Sequence, residues 1–451
     1  MVLFAASAIS APISNFPPAC DAICQAAYEQ GVAVDSSIWV NKDIHNDPFY
    51  SLPSKFADHA IGDLIKWEDI DANTVSTNWS IPSGLSLSRF YYVSEGIDNE
   101  PLPATAYVLT PYTNPLGADE PFRVVVWAHG TAGFVPHCAP SNDKGLQYQW
   151  LAPFSLAQEG YVVVAPDYAG LGSTVNQGFM YNAGISHAAD ASLAVKAARQ
   201  SLKDSITKEW VIAGHSEGGL TAWKTAQREA TRKAIGGFIG AVSIAPALDV
   251  LKLVPWVIER ANGGPLQEIF VPFMLHSIGN LFPIDLGKYM TQKLRDLTEL
   301  SLNGCLNTAI PLLAGLTLNE MYFNNADFLD APEVKEWEEE YAGQPGGELA
   351  APMLVLHGEK DFIIPHTNTE RVFDILCDEN PESTAEYKLM PGLDHDGVTM
   401  ASKSTYFPWI ADRFDRRLIR PGCSKTKAII ATDRFSTTEQ VWISAGQILV
   451  E

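Results

Sequence analysis

The strongest chemical signal in the sequence is a serine flanked by glycines, in the run GHSEGG at 214–219. The run fits the pattern G-x-S-x-G, with an apolar segment before it and a segment of helix formers after it. On such a strand-to-helix turn the serine stands above the sheet in a strained backbone conformation. It also lies at a helix N-terminus, where the helix dipole favours developing negative charge. The pattern predicts that Ser216 is a nucleophile rather than part of an ordinary glycine-rich turn.

A serine hydroxyl is a weak nucleophile at neutral pH and needs a base beside it. With this type of turn, the chain order is serine, then a carboxylate, then histidine. Four histidines follow Ser216, namely His276, His357, His366 and His395. We predict His395 as the base, because its polar loop follows the strand-like segment 385–390 and would project over the sheet. His357 ends a buried strand and is predicted to be a packed residue.

The acid that orients the base is predicted to be Asp361. It follows a strand-like segment through a short turn, which places it at the carboxyl edge of the sheet. Glu359 is the nearest competitor. Asp394 and Asp396 adjoin the base in sequence, and neighbours in an extended loop rarely aim their side chains at each other.

Acyl transfer also requires donors for the oxyanion of the tetrahedral intermediate. One is expected to be the backbone N–H of Glu217, directly after the nucleophile. The other is expected from the loop after an earlier strand, from Gly130 or Thr131, with Thr131 preferred. His129 is predicted to brace this loop. Tyr168, at the end of another strand, is predicted either to line the acyl pocket as a substrate-binding residue or to pack the turn.

The elements around these residues alternate between strand-like and helix-like segments. Apolar runs rich in Val and Ile are typical of parallel strands buried on both faces. They occupy 104–112, 123–130, 161–168, 210–216, 238–247 and 351–361. Helix-like segments occupy 186–202, with Ser186 as the predicted N-cap, and 218–233. The alternation predicts an α/β fold, with a mostly parallel sheet and helices on both faces.

The alternation breaks in the middle of the chain, which predicts a lid or cap inserted over the carboxyl end of the sheet. The predicted division is a signal-peptide remnant at 1–11, an N-terminal extension packed on the core at 12–100, a core at 101–247 and 349–423, a lid at 248–348 and a C-terminal segment at 424–451. The apolar run 2–11 ends in small residues, as signal-peptidase sites do, although no positive region precedes it. No stretch elsewhere is long and apolar enough to predict a transmembrane helix.

Charge and cysteine content indicate the environment. The 53 acidic residues outnumber the 31 basic ones, giving a net charge of −22 that disfavours nucleic-acid binding and suits a neutral or apolar substrate. Six cysteines allow 15 pairings. Cys20 and Cys24 are near enough in sequence to pair locally, and Cys377 could pair with Cys423. These two pairs would leave Cys138 with Cys305. The alternative is six buried free thiols. With the leader and the sequon at Asn78, the cysteines favour secretion.

No motif for a metal or a dinucleotide is present, and no cofactor is expected. The motifs together resemble those of the fungal secretory lipases, the lipase A-type group of the α/β-hydrolase superfamily. The matching pieces, spread over about 100–400, are HGT at 129–131, CAPS at 138–141, PDYAGLG at 166–172, the serine turn, the HG of 357–358 with Asp361, and His395. The resemblance implies an α/β-hydrolase fold with a helical lid, disulfides Cys138–Cys305 and Cys377–Cys423, and carboxylic ester hydrolysis.

The sequence therefore predicts a secreted serine ester hydrolase, a lipase or esterase acting on a small-molecule or lipid ester through an acyl-enzyme. Three alternatives remain open. The first is an esterase or deacetylase of a secondary metabolite, and the second an acyltransferase with the same triad. The third is a non-catalytic binding protein on a hydrolase scaffold, which a missing triad residue would mark. A peptidase is chemically possible, but no residue pattern specifies a peptide site. The carboxylate of Glu217 and the acidic surface are expected to disfavour anionic or fatty-acid-rich substrates.

Overall fold

The computed structural model describes residues 16–232, 235–324 and 326–431. The predicted signal-peptide remnant at 1–11 lies outside the described residues, as do residues 432–451 of the predicted C-terminal segment. Within the described part of the chain, no helix combines the length and apolar character needed to cross a membrane.

Ten strands form one twisted sheet in the order β1-β2-β3-β5-β4-β6-β7-β8-β9-β10. The seven strands from β4 onward pair in parallel with one another, whereas β1, β2 and β3 are antiparallel. The strands are β1 Leu64–Asp69, β2 Leu85–Glu95, β3 Pro101–Pro111, β4 Phe122–Ala128, β5 Val162–Pro166, β6 Ile206–His215, β7 Phe238–Ile244, β8 Met353–Gly358, β9 Ala385–Met390 and β10 Cys423–Lys427. The prediction of a mostly parallel sheet is confirmed.

Helices cover both faces of this sheet. They are α1 Ala22–Ile38, α2 Ala72–Asn78, α3 Pro153–Gln158, α4 Gly184–Leu202, α5 Glu217–Arg232, α6 Val254–Ala261, α7 Phe270–Leu281, α8 Gln292–Ser301, α9 Leu306–Leu313, α10 Leu318–Met321, α11 Pro332–Trp337, α12 His366–Glu379, α13 Gly397–Ala401 and α14 Lys403–Phe414. Side chains of β4 alternate between the two apolar layers, with Val124 and Val126 facing α4 and α5, and Val125 and Trp127 facing α3 and α14. The central strands are buried on both sides, as their continuous apolar runs require, whereas the edge strand β10 is exposed.

Two boundaries differ from those that the sequence suggests. The stretch taken as an N-terminal extension, 12–100, contributes β1 and β2, and β2 pairs with β3 along its whole length from Leu85 to Glu95. Strand β2 is buried from Leu87 to Glu95, but it shows no continuous apolar run because its buried polar residues are paired with other side chains; they are Ser88, Arg89, Ser94 and Glu95. Strand β10 begins at Cys423, so the sheet continues into the segment that the sequence separates from the core.

The N-cap predicted at Ser186 is wrong. Helix α4 begins at Gly184 after the flanking residue Ala183, and Ser186 lies buried within its first turn. Because the helix begins at Gly184, that buried residue packs against Leu220 and Lys224 of α5, and this packing outweighs the local preference of serine for a cap.

Helices α6–α11 lie between β7 and β8, in the segment predicted as the lid, and this segment shares an apolar core with α1 and the loops after β4 and β5. The lid is fastened to the rest of the molecule by the disulfide Cys138–Cys305. Beside this bond, the buried carboxylate of Asp35 accepts hydrogen bonds from the backbone of Cys305 (2.6 Å) and Thr308 (3.0 Å). The other disulfides are Cys20–Cys24 and Cys377–Cys423, so the pairings expected from the sequence are present.

Candidate active site

The predicted nucleophile occupies a sharp turn between β6 and α5. Ser216 has φ of +58°, in the left-handed region that non-glycine residues rarely adopt. The turn is held by a hydrogen bond of 2.9 Å from the Ser216 N–H to the carbonyl of Ile244 on the adjacent strand. The strain predicted for this serine is therefore present, and the surrounding backbone maintains it.

Two glycines of the motif allow the elements around Ser216 to approach one another. A Cβ on Gly214 would overlap the carbonyl oxygen of Gly218, across the turn. A Cβ on Gly218 would overlap the carbonyl oxygen of Ala128, at the end of β4. The spacing of the motif thus follows from close packing of α5 against the strands beneath it.

The predicted base and acid meet although 34 residues separate them. His395 Nδ1 lies 2.7 Å from Asp361 Oδ2, and both side chains are buried. The other carboxylate oxygen of Asp361 accepts backbone N–H groups from Ile363 and Ile364, each at 2.9 Å. Because a carboxylate only accepts, the imidazole proton lies on Nδ1 and leaves Nε2 with a lone pair that can accept a proton.

Electrostatics keep this pair in the form that a proton-transfer base needs. Burial alone would raise the pKa of Asp361, but the charge on His395 and hydrogen bonds from His357 and His395 hold it well below its usual range. Burial alone would lower the pKa of His395, but the charge of Asp361 and their hydrogen bond raise it. Asp361 is therefore ionised and stabilises the imidazolium that forms when His395 takes a proton.

His357 has a larger part in this site than the sequence indicated. It is fully buried at the end of β8, as predicted, and its Nε2 lies 3.1 Å from Asp361 Oδ2 and 2.9 Å from the carbonyl of Ile364. It therefore contacts the same carboxylate oxygen as His395. Its spacing of four residues from Asp361, across the turn that follows a strand, was the signal available in the sequence.

The loop after β4 lies beside the nucleophile. A Cβ built on Gly130 would come within 3.2 Å of Ser216 Cβ, so the backbone here passes close to the serine. The Gly130 N–H already donates to the hydroxyl of Tyr148 at 3.1 Å. The N–H groups of Thr131 and Glu217 have no hydrogen-bond acceptor among the described residues, which fits the two donors predicted for the oxyanion. The Thr131 side chain is held by a hydrogen bond of 2.7 Å to Tyr181.

The side chain of Glu217 lies beside the nucleophile, where the sequence led us to expect a carboxylate that disfavours anionic or fatty-acid-rich substrates. It is completely buried, and its Oε1 accepts the Asn182 N–H at 2.8 Å. Burial raises the pKa of Glu217 to about 8, against the opposing effect of that hydrogen bond. The group is therefore neutral at neutral pH and does not repel an anionic substrate. That sequence-based argument against fatty acyl substrates does not hold.

Tyr168 packs the turn instead of lining the pocket. Its ring is fully buried between the imidazoles of His129 and His187, with centroid distances of 4.2 and 4.3 Å. Its hydroxyl donates to the carbonyl of His129 at 3.0 Å and accepts from Thr221 at 3.1 Å. Its φ of +66° turns the chain away from the strand, so the ring points into the layer behind Ser216. Of its two predicted roles, only turn packing fits this position.

An apolar cavity under the lid opens onto Ser216. Its walls come mostly from the segment between β7 and β8, with polar groups at Tyr181, Asn182, Glu268 and Tyr322. The apolar lining residues are Ala247, Val250, Leu253, Val254, Val257, Ile258, Leu266, Phe270, Val271, Met274, Leu318, Ile363 and Ile364. The last two follow Asp361 in the turn after β8, so that turn forms part of the cavity wall beside the nucleophile. Such a cavity suits an apolar chain attached to the group that Ser216 attacks.

The remaining predicted positions lie away from the cavity. Asn78 is exposed at the end of α2. Among the described residues, no cluster of three or more His, Cys, Asp or Glu side chains is arranged to hold a metal ion.

Comparisons with known proteins agree with this arrangement. The secreted triacylglycerol lipase LIP2 of Malassezia globosa is 24% identical over 400 residues, which cover 85% of this chain and 84% of that protein. Lipase 1 of Candida albicans is 24% identical over 426 residues, which cover 85% of this chain and 83% of that protein.

Solved structures share the fold. Candida antarctica lipase A superposes with a TM-score of 0.67 over 87% of this chain and 92% of its own, at 16% identity. The rice cell wall degrading esterase LipA from Xanthomonas oryzae superposes with a TM-score of 0.59 over 80% of this chain and 100% of its own, at 19% identity. The predicted α/β-hydrolase fold is confirmed.

The family model described as secretory lipase matches residues 139–420, which is more than half of the chain. That interval contains the serine turn, the acid, the base and the lid. The chain belongs to the secretory lipase family and is a secreted ester hydrolase.

Proposed function

We propose that the chain hydrolyses carboxylic esters of apolar acids through a covalent acyl-enzyme on Ser216. One observation carries this proposal: a strained serine opens onto an apolar cavity, and its neighbour His215 packs against His395, which the buried Asp361 orients. A hydroxyl, a base and an oriented acid close together are the set that nucleophilic acyl transfer requires.

The reaction proceeds in two halves. His395 Nε2 takes the Ser216 proton as Oγ bonds to the ester carbonyl carbon, and the N–H groups of Thr131 and Glu217 stabilise the resulting oxyanion. The intermediate collapses, the C–O bond to the alcohol breaks, and the imidazolium gives its proton to the leaving alkoxide. Water then attacks the acyl-enzyme with His395 again as base, and the carboxylic acid leaves while Ser216 regains its proton. Asp361 stabilises the imidazolium in both halves.

The substrate class we propose is neutral lipid esters, including triacylglycerols. The relatives from Malassezia globosa are named as triacylglycerol lipases. The apolar lining of the cavity favours an alkyl chain, and Glu217 does not line the cavity. The space enclosed is only about 50 Å³, where a single water needs roughly 10–15 Å³. A long acyl chain therefore enters only when lid segments around α6 and α7 move apart.

A p-nitrophenyl ester series from acetyl to palmitoyl tests this function, with Ser216→Ala measured in parallel. We expect wild-type turnover to peak at medium or long chains and the variant to lose at least about 10⁴-fold in kcat. A fluorophosphonate probe should add one covalent label per chain, located on Ser216 by peptide mass spectrometry. Equal turnover by both proteins, or a label on another serine, would refute the proposed nucleophile. A rate maximum at acetyl would refute the lipid substrate and favour an esterase of small metabolites.

A further inference from the structure

Two buried side chains outside the triad connect its parts. The hydroxyl of Tyr148 lies 3.1 Å from the backbone nitrogen of Gly130 and 2.8 Å from Nδ1 of His215. The other nitrogen of that imidazole, Nε2, lies 2.8 Å from the carbonyl oxygen of His395. The contacts begin at the loop after β4, residues 129–133, which we call the oxyanion loop. They continue through His215, the residue directly before Ser216, and end at the backbone of the base His395.

The direction of every hydrogen bond in this series is determined by its ends. The His395 carbonyl only accepts, so His215 Nε2 carries the proton. Burial, followed by the charge of His395, lowers the pKa of His215 to about 4, so the ring is neutral and Nδ1 accepts. The Tyr148 O–H, whose pKa burial raises far above 10, therefore donates to Nδ1. Its oxygen is left to accept the Gly130 N–H, and no donor or acceptor in the series is left without a partner.

The series joins segments that are far apart in sequence. Tyr148 is 67 residues from His215, and His215 is 180 residues from His395. The rings of His215 and His395 also pack together, with centroids 4.6 Å apart. Since His215 is the covalent neighbour of Ser216, a contact that fixes His215 against His395 also fixes the distance between nucleophile and base.

We propose that Tyr148 and His215 are positioning residues for ester hydrolysis. They hold the loop that carries His395 against the turn that carries Ser216. Tyr148 also accepts the Gly130 N–H, so that the Thr131 N–H faces the oxyanion. This inference rests on the proposed triad. A shift of about 1 Å between reacting groups can cost roughly 100-fold in rate, so loss of the series should lower kcat without changing the acyl cavity or KM.

The first test is Tyr148→Phe, which removes one oxygen atom and leaves Gly130 N–H and His215 Nδ1 without a partner. Tyr406→Phe is the matched control, because Tyr406 is buried in the same apolar layer and its hydroxyl has no partner among the described residues. We expect Tyr148→Phe to lower kcat by about 10- to 100-fold with KM within about twofold, and Tyr406→Phe to change neither by more than about twofold. Unchanged kcat in Tyr148→Phe, or equal losses in both variants, would overturn the proposal.

The second test uses rescue by a partial mimic. The amide of His215→Gln can still donate to the His395 carbonyl, whereas His215→Leu cannot. We expect the Gln variant to retain at least about fivefold more kcat than the Leu variant, at equal KM and with both folded by circular dichroism. A Gln variant no better than Leu would contradict the positioning role. If His215→Leu does not fold, the comparison of Tyr148→Phe with Tyr406→Phe still decides.

Failure of this inference is distinguishable from failure of the proposed function. Ser216→Ala, assayed on the same ester, reports on the triad alone. An active Ser216→Ala would remove the basis of both proposals. An inactive Ser216→Ala together with a fully active Tyr148→Phe would leave the triad in place and overturn only the positioning series.

Discussion

Asp361 holds His395 from one side while the backbone holds Asp361 from the other. Oδ2 of the carboxylate lies 2.7 Å from His395 Nδ1, and Oδ1 accepts two backbone N–H groups from the following turn. The acid therefore has one available orientation, and the base takes its tautomer from it. A change at this carboxylate should act on the chemical step rather than on substrate binding.

Asp361→Asn should lower kcat by about 10⁴-fold with little change in KM, because an amide that donates to His395 favours the wrong tautomer. The measurement is steady-state kinetics on a medium-chain ester. Glu359→Gln is the control, since this partly exposed carboxylate pairs with Lys427 instead. We expect the control to stay within about twofold of wild type, and a loss below tenfold for Asp361→Asn would argue against Asp361 as the acid.

Glu217→Gln should change how stability depends on pH. Burial raises the Glu217 pKa from 4.5 to about 8 in the folded protein. At pH values between these two, Glu217 ionises only in the unfolded chain. Its contribution to the free energy of unfolding is therefore greatest below pH 4.5 and decreases by about 1.4 kcal/mol per pH unit up to about pH 8.

Urea unfolding at pH 5, 6.5, 8 and 9 would measure this effect. Glutamine has no proton to lose. The free energy of unfolding of Glu217→Gln, taken relative to that of wild type, should therefore increase as the pH rises to 8 and then stay constant. The exposed Glu29→Gln should follow the wild-type curve. Parallel curves for wild type and Glu217→Gln would show that this carboxyl is ionised when folded.

Val257→Phe should shorten the preferred acyl chain. Val257 lies on α6 with 6% of its surface exposed, and it lines the cavity next to Ser216. The larger ring fills space that a long chain needs, and one methylene of mismatch already costs roughly 10-fold or more. We expect kcat/KM for palmitoyl relative to acetyl esters to fall at least tenfold. Ile310→Phe, on the exposed side of the lid, should leave this ratio unchanged. An unchanged ratio in Val257→Phe would place the acyl chain elsewhere.

Removal of the lid disulfide should affect stability and activity together. Cys138 and Cys305 are 167 residues apart, against 46 for Cys377 and Cys423. By loop entropy, replacing each pair by serines costs up to about 5 and 4 kcal/mol respectively.

The two double variants should differ in catalysis more than in stability. Gly133, in the oxyanion loop, forms a β-bridge with Cys305, so of these two disulfides it is Cys138–Cys305 that lies beside that loop. Assayed well below their melting temperatures, the Cys138–Cys305 variant should lose kcat and the Cys377–Cys423 variant should not. Equal kcat values in the two double variants would show that the Cys138–Cys305 bond does not affect catalysis.

The sequence predicted the reacting groups better than their surroundings. Ser216 is set by a local motif, and Asp361 and His395 follow from their positions after strands, so all three could be found from order along the chain. Tyr148 and His215 belong to no motif, and their contact exists only after segments 67 residues apart fold together. The burial of Glu217 and Tyr168 also depends on tertiary packing, which residue type alone does not report.

The fold was predicted where its pattern is local and missed where it is not. The central parallel strands show as apolar runs because both faces are buried, whereas β1 and β2 mix polar and apolar residues and β10 is polar and exposed. The lid was visible only as an interruption of the alternation. Its anchoring to α1 through Asp35 joins residues 270 or more positions apart, which no short sequence pattern records.

The bond between Cys138 and Cys305 also depends on the compartment in which the chain folds. The reducing cytosol keeps both cysteines as thiols, whereas the secretory pathway is oxidising. The oxyanion loop and the lid are therefore joined covalently only in a chain that enters the secretory pathway. If loss of this bond lowers kcat as expected, a chain that stays reduced hydrolyses the lipids of its own cell more slowly than the exported chain does.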